Sequence, residues 1–336
     1  MKSVVLEQPR TVRLARPDLK RPGPGEALVA LRLGGICGSD LAAYRGVSPL
    51  VTYPRVLGHE LVVDILEAPD RPDLEGRRAV VEPLEPCGSC RACRRGRYNC
   101  CTNLRVMGVH IDGGLAERTV VPVRRLYPIP DSLPDELAVL AEPTTIAYRA
   151  VERSEIQPGG VAVVFGAGTI GLLIASLLVK ARGCRALVID IDARRLEVAR
   201  AAGATPVLSE NREQVICEVE RHTGGELADV VFEATGSAAC TRMTTDLVAQ
   251  TGRIVLVGWN KGPVEFDTVT LMRKEAEVFG SRNSTNAFPP VLRLLEDGVV
   301  DASALITHRV GLDAAADALA MLDEGKEPAL KVVLSP

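Results

Sequence analysis

Four cysteines crowd one short run, CGSCRACRRGRYNCC: Cys87, Cys90, Cys93 and Cys101, spaced C-x2-C-x2-C-x7-C. Thiolates this close can converge on one centre, and a tetrahedral all-sulfur shell is what a structural Zn²⁺ takes. A disulfide cluster is the plainer alternative, but clustered cysteines in a reducing compartment read as a metal site. Cys100 is the spare; the x7 gap favours Cys101 as fourth ligand, and the two are adjacent and could swap. A looser set lies outside this run: Cys37 in GGICGSD, His59 with Glu60 in LGHE, and Glu142 in AEPTTIAYRA. A cysteine, a histidine and a carboxylate can hold a zinc that keeps one position open for water or substrate. Taken singly they say little, because a lone cysteine is usually a small core residue and a lone acid usually a solvated one.

A third constellation is Gly166-Ala167-Gly168-Thr169-Ile170-Gly171, a GxGxxG. It follows the apolar run VAVVF, opens an apolar helix, and is followed by Asp190 at the end of ALVID. That context reads as a dinucleotide site. The first glycine permits the tight turn, the second lets backbone approach a pyrophosphate, and the third lets helix pack on strand. The helix N-terminus lends positive charge to the phosphates. Asp190 is expected to accept from the adenosine ribose diol, and a carboxylate there repels a 2′-phosphate, so NAD is favoured over NADP. Arg194 and Arg195 could pair such a phosphate, but they lie past Asp190 on the next helix, where Arg195 is read as flanking the adenine.

The elements that must position these groups fall into two textures. The chain has 336 residues, enough for two domains. Residues 1–148 read as short β-runs broken by Gly and Pro (VVLEQP, EALVALRLGG, RRAVVEP, AERTVVPV), an all-β, barrel-like unit with long loops. Beyond about 150, strands alternate with helices at 169–182, 192–202, 210–222 and 237–250, the pattern of a doubly wound parallel sheet, with AEVFGS as one more strand. After about 288 come helices at 290–297 and 313–324, an extended stretch at 305–310 and a terminal strand, ALKVVL. Pro158 to Val179 carries no charge and could span a bilayer by length, but its glycines split it into strand, turn and helix. The N-terminus, MKSVVLEQPR, lacks the apolar core of a signal peptide, and the scattered remaining cysteines form no even framework; both point to the cytoplasm. A net charge of −3 argues against a polyanionic partner.

GGICGSD, LGHE, the four-cysteine run and GAGTIG, in that order and spacing, resemble the zinc-dependent alcohol dehydrogenases of the medium-chain dehydrogenase/reductase superfamily. The resemblance covers the whole chain. It implies an α/β protein: a GroES-like, β-rich catalytic domain (1–148 and 289–336, with a zinc lobe at about 85–103) and a Rossmann domain (149–288). It further implies an active site in the cleft between them, two zinc ions per subunit, NAD, and a homodimer or homotetramer. The polyol and sugar-acid branch fits best. No cysteine occurs between Cys101 and Cys184, so the third catalytic ligand is not a cysteine; a glutamate in an EP motif, as in sorbitol and galactitol-phosphate dehydrogenases, matches Glu142-Pro143. YPRVLGHE, GRYNCC, GVHIDGG and GSRNST resemble L-galactonate and L-gulonate 5-dehydrogenases.

Roles follow from that resemblance. Cys37, His59 and Glu142 match catalytic zinc ligands, and Glu60 an alternate or water-mediated one. Asp40 matches the acid that orients the histidine ring, and Ser39 the hydroxyl that starts a proton relay. Tyr44, His110 and Arg282 would line the substrate pocket, and Lys331 would reach the cofactor phosphates. Three of these have plain alternatives: Tyr44 as a loop cap, His110 as a satisfied buried histidine, Arg282 as the partner of a nearby acid. The implied chemistry is oxidation of a secondary alcohol, with zinc as Lewis acid and hydride moving to nicotinamide. Aromatics make up only 3% of the chain, which suits a small polar substrate better than a large apolar one. L-threonine 3-dehydrogenase activity is the runner-up. A non-catalytic NAD sensor and a nucleic-acid-binding zinc ribbon are the rivals from other classes.

Overall fold

The computed structural model describes residues 1–18, 20–260, 262–325 and 329–336. The chain divides into two compact units. Met1–Glu142, Phe288–Glu296 and Asp301–Pro336 form the first; Pro143–Ala287 and Asp297–Val300 form the second.

The first unit is built on a mostly antiparallel sheet. Its strands run in the order Leu126–Pro128, Arg78–Val81, Glu60–Glu67, Glu26–Ile36, Lys331–Ser335 and Ile306–Gly311, and Arg118–Pro122 also pairs with Glu26–Ile36. The long strand EALVALRLGGI is the hub and is buried along most of its length. Its register carries the site: Gly35 lies opposite Glu60, and Ile36 opposite Val332. A Cβ at Gly35 would overlap the Glu60 carboxylate, so only glycine leaves room for that acid. The core gathers Val4, Leu6, Val29, Leu61, Val63 and Ile65, and the helix Ala315–Glu324 packs Ala315, Ala318 and Leu319 onto it.

The first unit is not all-β, as the sequence reading had it. Short helices span Gly38–Tyr44 and Ala315–Glu324, and a longer one, Ala141–Ser154, starts at the end of this unit and runs on in the second, so the boundary falls at Glu142/Pro143 instead of 148. Pro143 hid this helix. It sits in the first turn, where a missing N–H costs nothing, and Glu142 beside it favours the positive helix end.

The second unit is a six-stranded sheet, parallel throughout, in the order Thr205–Leu208, Arg185–Asp190, Val161–Phe165, Ala228–Glu233, Val248–Leu256 and Glu277–Gly280. VAVVF is buried at every position, as expected of a strand covered on both faces. Winding runs outward from Val161–Phe165 in one direction, then resumes on its other side at Ala228–Glu233. A ligand crevice is expected at that switch, outside the carboxyl ends of the strands. The uncharged stretch from Pro158 is divided between the strand Val161–Phe165, a turn and the helix Thr169–Ser176. Among the described residues no helix is long and apolar enough to cross a membrane. The helix expected at 237–250 ends at Leu247, because the β-rich run from Val248 joins the sheet. A further helix, Thr268–Lys274, has no counterpart in the hydrophobic pattern, because it buries no residue and so has no apolar period.

Candidate functional site

The four sulfurs of Cys87, Cys90, Cys93 and Cys101 lie within 4.8 Å of one another. Backbone N–H groups already face them: Cys90 donates to Cys87 Sγ at 3.4 Å, and Cys87 and Asn103 donate to Cys101 Sγ at 3.2 and 3.3 Å. Cys101 is buried beside Leu84 and Leu104, whereas Cys100 is exposed and outside the cluster. The thiols pull apart electrostatically. Backbone N–H donors from Cys93 and Thr102 bring Cys90 down to about 5, while lost hydration and neighbouring thiols push Cys93 up to about 12. Four crowded thiols cannot all ionise alone; a divalent cation removes that conflict. Zinc therefore fits this donor set.

The second cluster is Cys37, His59 and Glu60, whose ligand atoms also lie within 4.8 Å of one another. Cys37 caps the helix Gly38–Tyr44; its N–H donates to Asp40 Oδ2 at 2.9 Å, which fixes both residues. His59 presents Nε2 to Ser39 Oγ at 3.4 Å and Nδ1 to Asp40 Oδ1 at 3.7 Å. Among the described residues neither His59 Nδ1 nor Asp40 Oδ1 has a hydrogen-bond partner. A metal on Nε2 would leave the ring proton on Nδ1, facing Asp40. Asp40, His59 and Glu60 are all buried. Burial disfavours the His59 imidazolium, but Asp40, Cys37 and Glu142 outweigh it and hold its pKa well above the ordinary histidine value. So many acidic groups around one histidine and one lysine make a hole for a divalent cation, and zinc fits here too.

Glu142 stands in the first turn of Ala141–Ser154, outside the tight set but in electrostatic reach of His59 and Glu60. Burial pushes its carboxyl up to about 7, with Glu60 and Asp40 adding and His59 and Lys331 opposing. The structure thus groups Glu60, not Glu142, with Cys37 and His59.

Lys331 requires a correction. It does not extend toward a cofactor: its Nζ is buried, 2.7 Å from both Glu60 oxygens, and donates to the Ile36 carbonyl at 3.3 Å. Pairing of Val332 with Ile36 puts it there, and a buried ammonium needs such partners. Tyr44 is 7% exposed and packs in the apolar core of the first unit. His110 holds a turn: its Nδ1 accepts the Val106 N–H at 3.2 Å, and its own N–H donates to the Val106 carbonyl at 2.9 Å. Arg282 is exposed in the second unit.

The glycine turn has the geometry its spacing implies. Gly166 has φ +97°, a left-handed conformation. A Cβ on Gly171 would overlap the Gly166 carbonyl oxygen, so helix and strand meet on bare backbone. Gly168, by contrast, has open space where a Cβ would stand, and it begins the helix Thr169–Ser176 with no side-chain cap. The N–H groups at the start of this helix point the way an anion needs. Asp190 braces the turn: Oδ2 accepts the Ala167 N–H at 2.6 Å, and Oδ1 accepts the Asp192 N–H at 2.9 Å. Arg194 is tied to Asp192 by Nε and Nη2 at 3.0 and 2.8 Å, and Arg195 Nε lies 3.9 Å from the same carboxylate. Those pairs hold Asp192 down to about 2, the Arg194 hydrogen bond contributing most.

The fold and these clusters define a zinc- and dinucleotide-dependent oxidoreductase. Residues 23–131 match the model of the alcohol dehydrogenase GroES-like domain, and residues 169–297 that of the zinc-binding dehydrogenases. The chain is 36% identical to L-galactonate-5-dehydrogenase of Escherichia coli (strain K12), over 92% of this chain and 91% of that protein. It is 33% identical to an L-threonine 3-dehydrogenase of Pyrococcus horikoshii, over 93% and 92%. A crystal structure of an E. coli CFT073 alcohol dehydrogenase complexed with NADH superposes with a TM-score of 0.93 at 33% identity, covering 100% of this chain and 99% of that one. The chain belongs to the zinc-type alcohol dehydrogenase family, in its polyol dehydrogenase branch, with a GroES-like domain and a parallel-sheet Rossmann domain.

Proposed function

We propose that the protein oxidises a secondary alcohol of a polyol or sugar acid and passes the hydride to NAD. The observation that carries this reading is the Cys37–His59–Glu60 cluster, with His59 and Glu60 buried, Cys37 half-buried and Ser39 at its edge. Bound zinc supplies Lewis acidity toward a substrate hydroxyl, and bound dinucleotide supplies a hydride acceptor. Cys37 and His59 would hold that zinc, with Glu142 as third ligand. Ser39 Oγ, 3.4 Å from His59 Nε2, is placed to take up the substrate hydroxyl proton. Asp40 keeps the His59 ring oriented. Lys331 neutralises Glu60, which supports a Glu60 held back from full ligation. In the second unit, Gly168 and the first turn of its helix would cradle the pyrophosphate and Asp190 would take the ribose. Arg194, already engaged by Asp192, is poorly free for a 2′-phosphate, which supports NAD over NADP.

A polar substrate suits the sparse aromatics, and the likeness to L-galactonate-5-dehydrogenase points to a sugar acid, whose carboxylate Arg282 could pair. The likeness to threonine dehydrogenases supports a second reading, oxidation of L-threonine. The protein acts, in this proposal, as a cytoplasmic homodimer or homotetramer. A panel of polyols, aldonates, L-threonine and simple alcohols, read by NADH absorbance with NAD⁺ or NADP⁺, tests it. Turnover of aldonates or polyols with NAD⁺ is expected. Turnover of L-threonine alone favours the second reading, and activity confined to simple primary alcohols rejects both.

A further inference from the structure

Two segments border the switch point of the parallel sheet, where a ligand crevice is expected. One is the glycine turn after Val161–Phe165. The other is the loop 234–237 after the neighbouring strand Ala228–Glu233. What shapes the second segment is a carboxylate. Glu233 closes its strand and is fully buried. Burying a carboxylate is costly unless donors surround it, and here they come from the loop itself. Oε1 accepts from the Thr235 N–H at 2.8 Å, from the Thr235 hydroxyl, and from the Gly236 N–H at 3.1 Å; Oε2 lies 3.2 Å from the same Gly236 nitrogen. The main chain of Glu233 gathers a third segment, since its carbonyl accepts from Val257 and Gly258 at 2.9 and 2.8 Å.

These loops pack on bare backbone. Gly236 has φ +68°, and a Cβ there would stand 2.7 Å from the Trp259 carbonyl oxygen; one on Gly258 would overlap the Gly236 nitrogen. The contact continues to the glycine turn. Ala234 N–H donates to the Phe165 carbonyl at 3.0 Å, and a Cβ on Gly166 would come within 2.8 Å of Thr235 Cγ2. Glu233 thus holds Thr235, and Thr235 borders Gly166.

We infer that Glu233 is a positioning residue for the dinucleotide: its carboxylate folds the loop 234–237 against the glycine turn and so sets the width of the crevice. This role rests on the reading of the glycine turn as a dinucleotide site. Glu233→Gln keeps the shape but turns an amide NH₂ toward N–H donors. Its affinity for NADH is expected to fall about tenfold. Thr235→Val removes one donor and keeps the methyl against Gly166, and a fall of about threefold is expected. The readout is energy transfer to bound NADH from Trp259, the chain's one tryptophan, which stands in the gathered segment. It is taken on zinc-loaded protein well below its melting temperature. A purely stabilising role would lower the melting temperature and leave this affinity alone. Glu233→Gln that folds and binds NADH within about twofold of wild type overturns the inference. If that variant does not fold, unchanged affinity in Thr235→Val overturns it. Wild-type protein that takes up neither NADH nor NADPH sinks the dinucleotide reading itself, and this role with it.

Discussion

Lys331→Met isolates the buried pair that the chain end brings to the candidate zinc site. Methionine keeps the apolar stem and removes only the ammonium. Glu60, fully buried, then loses the partner that sits 2.7 Å from both its oxygens, and Asp40 and Glu142 remain nearby to repel it. Removing one member of a buried ion pair costs about 3–5 kcal/mol, most of it the stranded charge. At about 2–4 °C per kcal/mol for a domain of this size, zinc-depleted Lys331→Met should melt roughly 6–20 °C below zinc-depleted wild type. Zinc should shrink the difference, because the ion supplies the charge that Lys331 no longer does. The double variant Glu60→Gln/Lys331→Met strands nothing and should regain most of the loss, a coupling of about 3 kcal/mol. Urea and thermal unfolding of the four proteins, with and without zinc, give the cycle. A loss under about 1 kcal/mol in the single variant, or no recovery in the double, would refute the reasoning.

Two further outcomes are expected. Gly168→Ala should leave stability within about 0.5 kcal/mol of wild type, since φ is −78° and nothing lies within 4 Å of the added carbon, yet weaken NADH binding about tenfold; Gly171→Ala should instead cost about 1–3 kcal/mol or more by driving into the Gly166 carbonyl, and calorimetry with NADH titration separates the two. Zinc uptake at the second cluster should release protons and tighten as pH rises through about 7, because Glu142 at about 7 and His59 above its ordinary value must deprotonate first. Both folded-state values lie above the unfolded ones, so their protons stabilise the zinc-free fold at low pH, and that support is lost as pH rises through the folded values. The melting gap between zinc-loaded and zinc-free protein should therefore widen with pH, and a pH-independent gap would contradict it.

What the sequence made legible was local. The four cysteines fall within one lobe, and GAGTIG reads as a turn because the strand before it and the helix after it are contiguous. Cys37 and Asp40 lie on one helical turn. What it hid was contact between distant positions. Lys331 meets Glu60 across 271 residues, and only the pairing of three strands brings them together. No local pattern distinguishes a lysine aimed at a phosphate from one buried on a glutamate. The place of Glu60 beside Cys37 and His59 is hidden for the same reason: what makes room for it is the missing side chain at Gly35 on the facing strand. The burial of Tyr44 was hidden too, because a tyrosine near a candidate ligand is as compatible with an exposed loop as with a core. Glu233 carried no motif, and its loop donors become visible only when the backbone is folded around it.

Zinc content and NADH formation, measured on Cys37→Ser beside wild type with the preferred alcohol, bear hardest on the proposed chemistry. The variant should lose one zinc per subunit, keep the one at Cys87, Cys90, Cys93 and Cys101, still bind NADH, and form NADH at least about 1000-fold more slowly. A variant that keeps both zinc ions and turns over at the wild-type rate would contradict the assignment of Cys37 and His59 as the heart of the site.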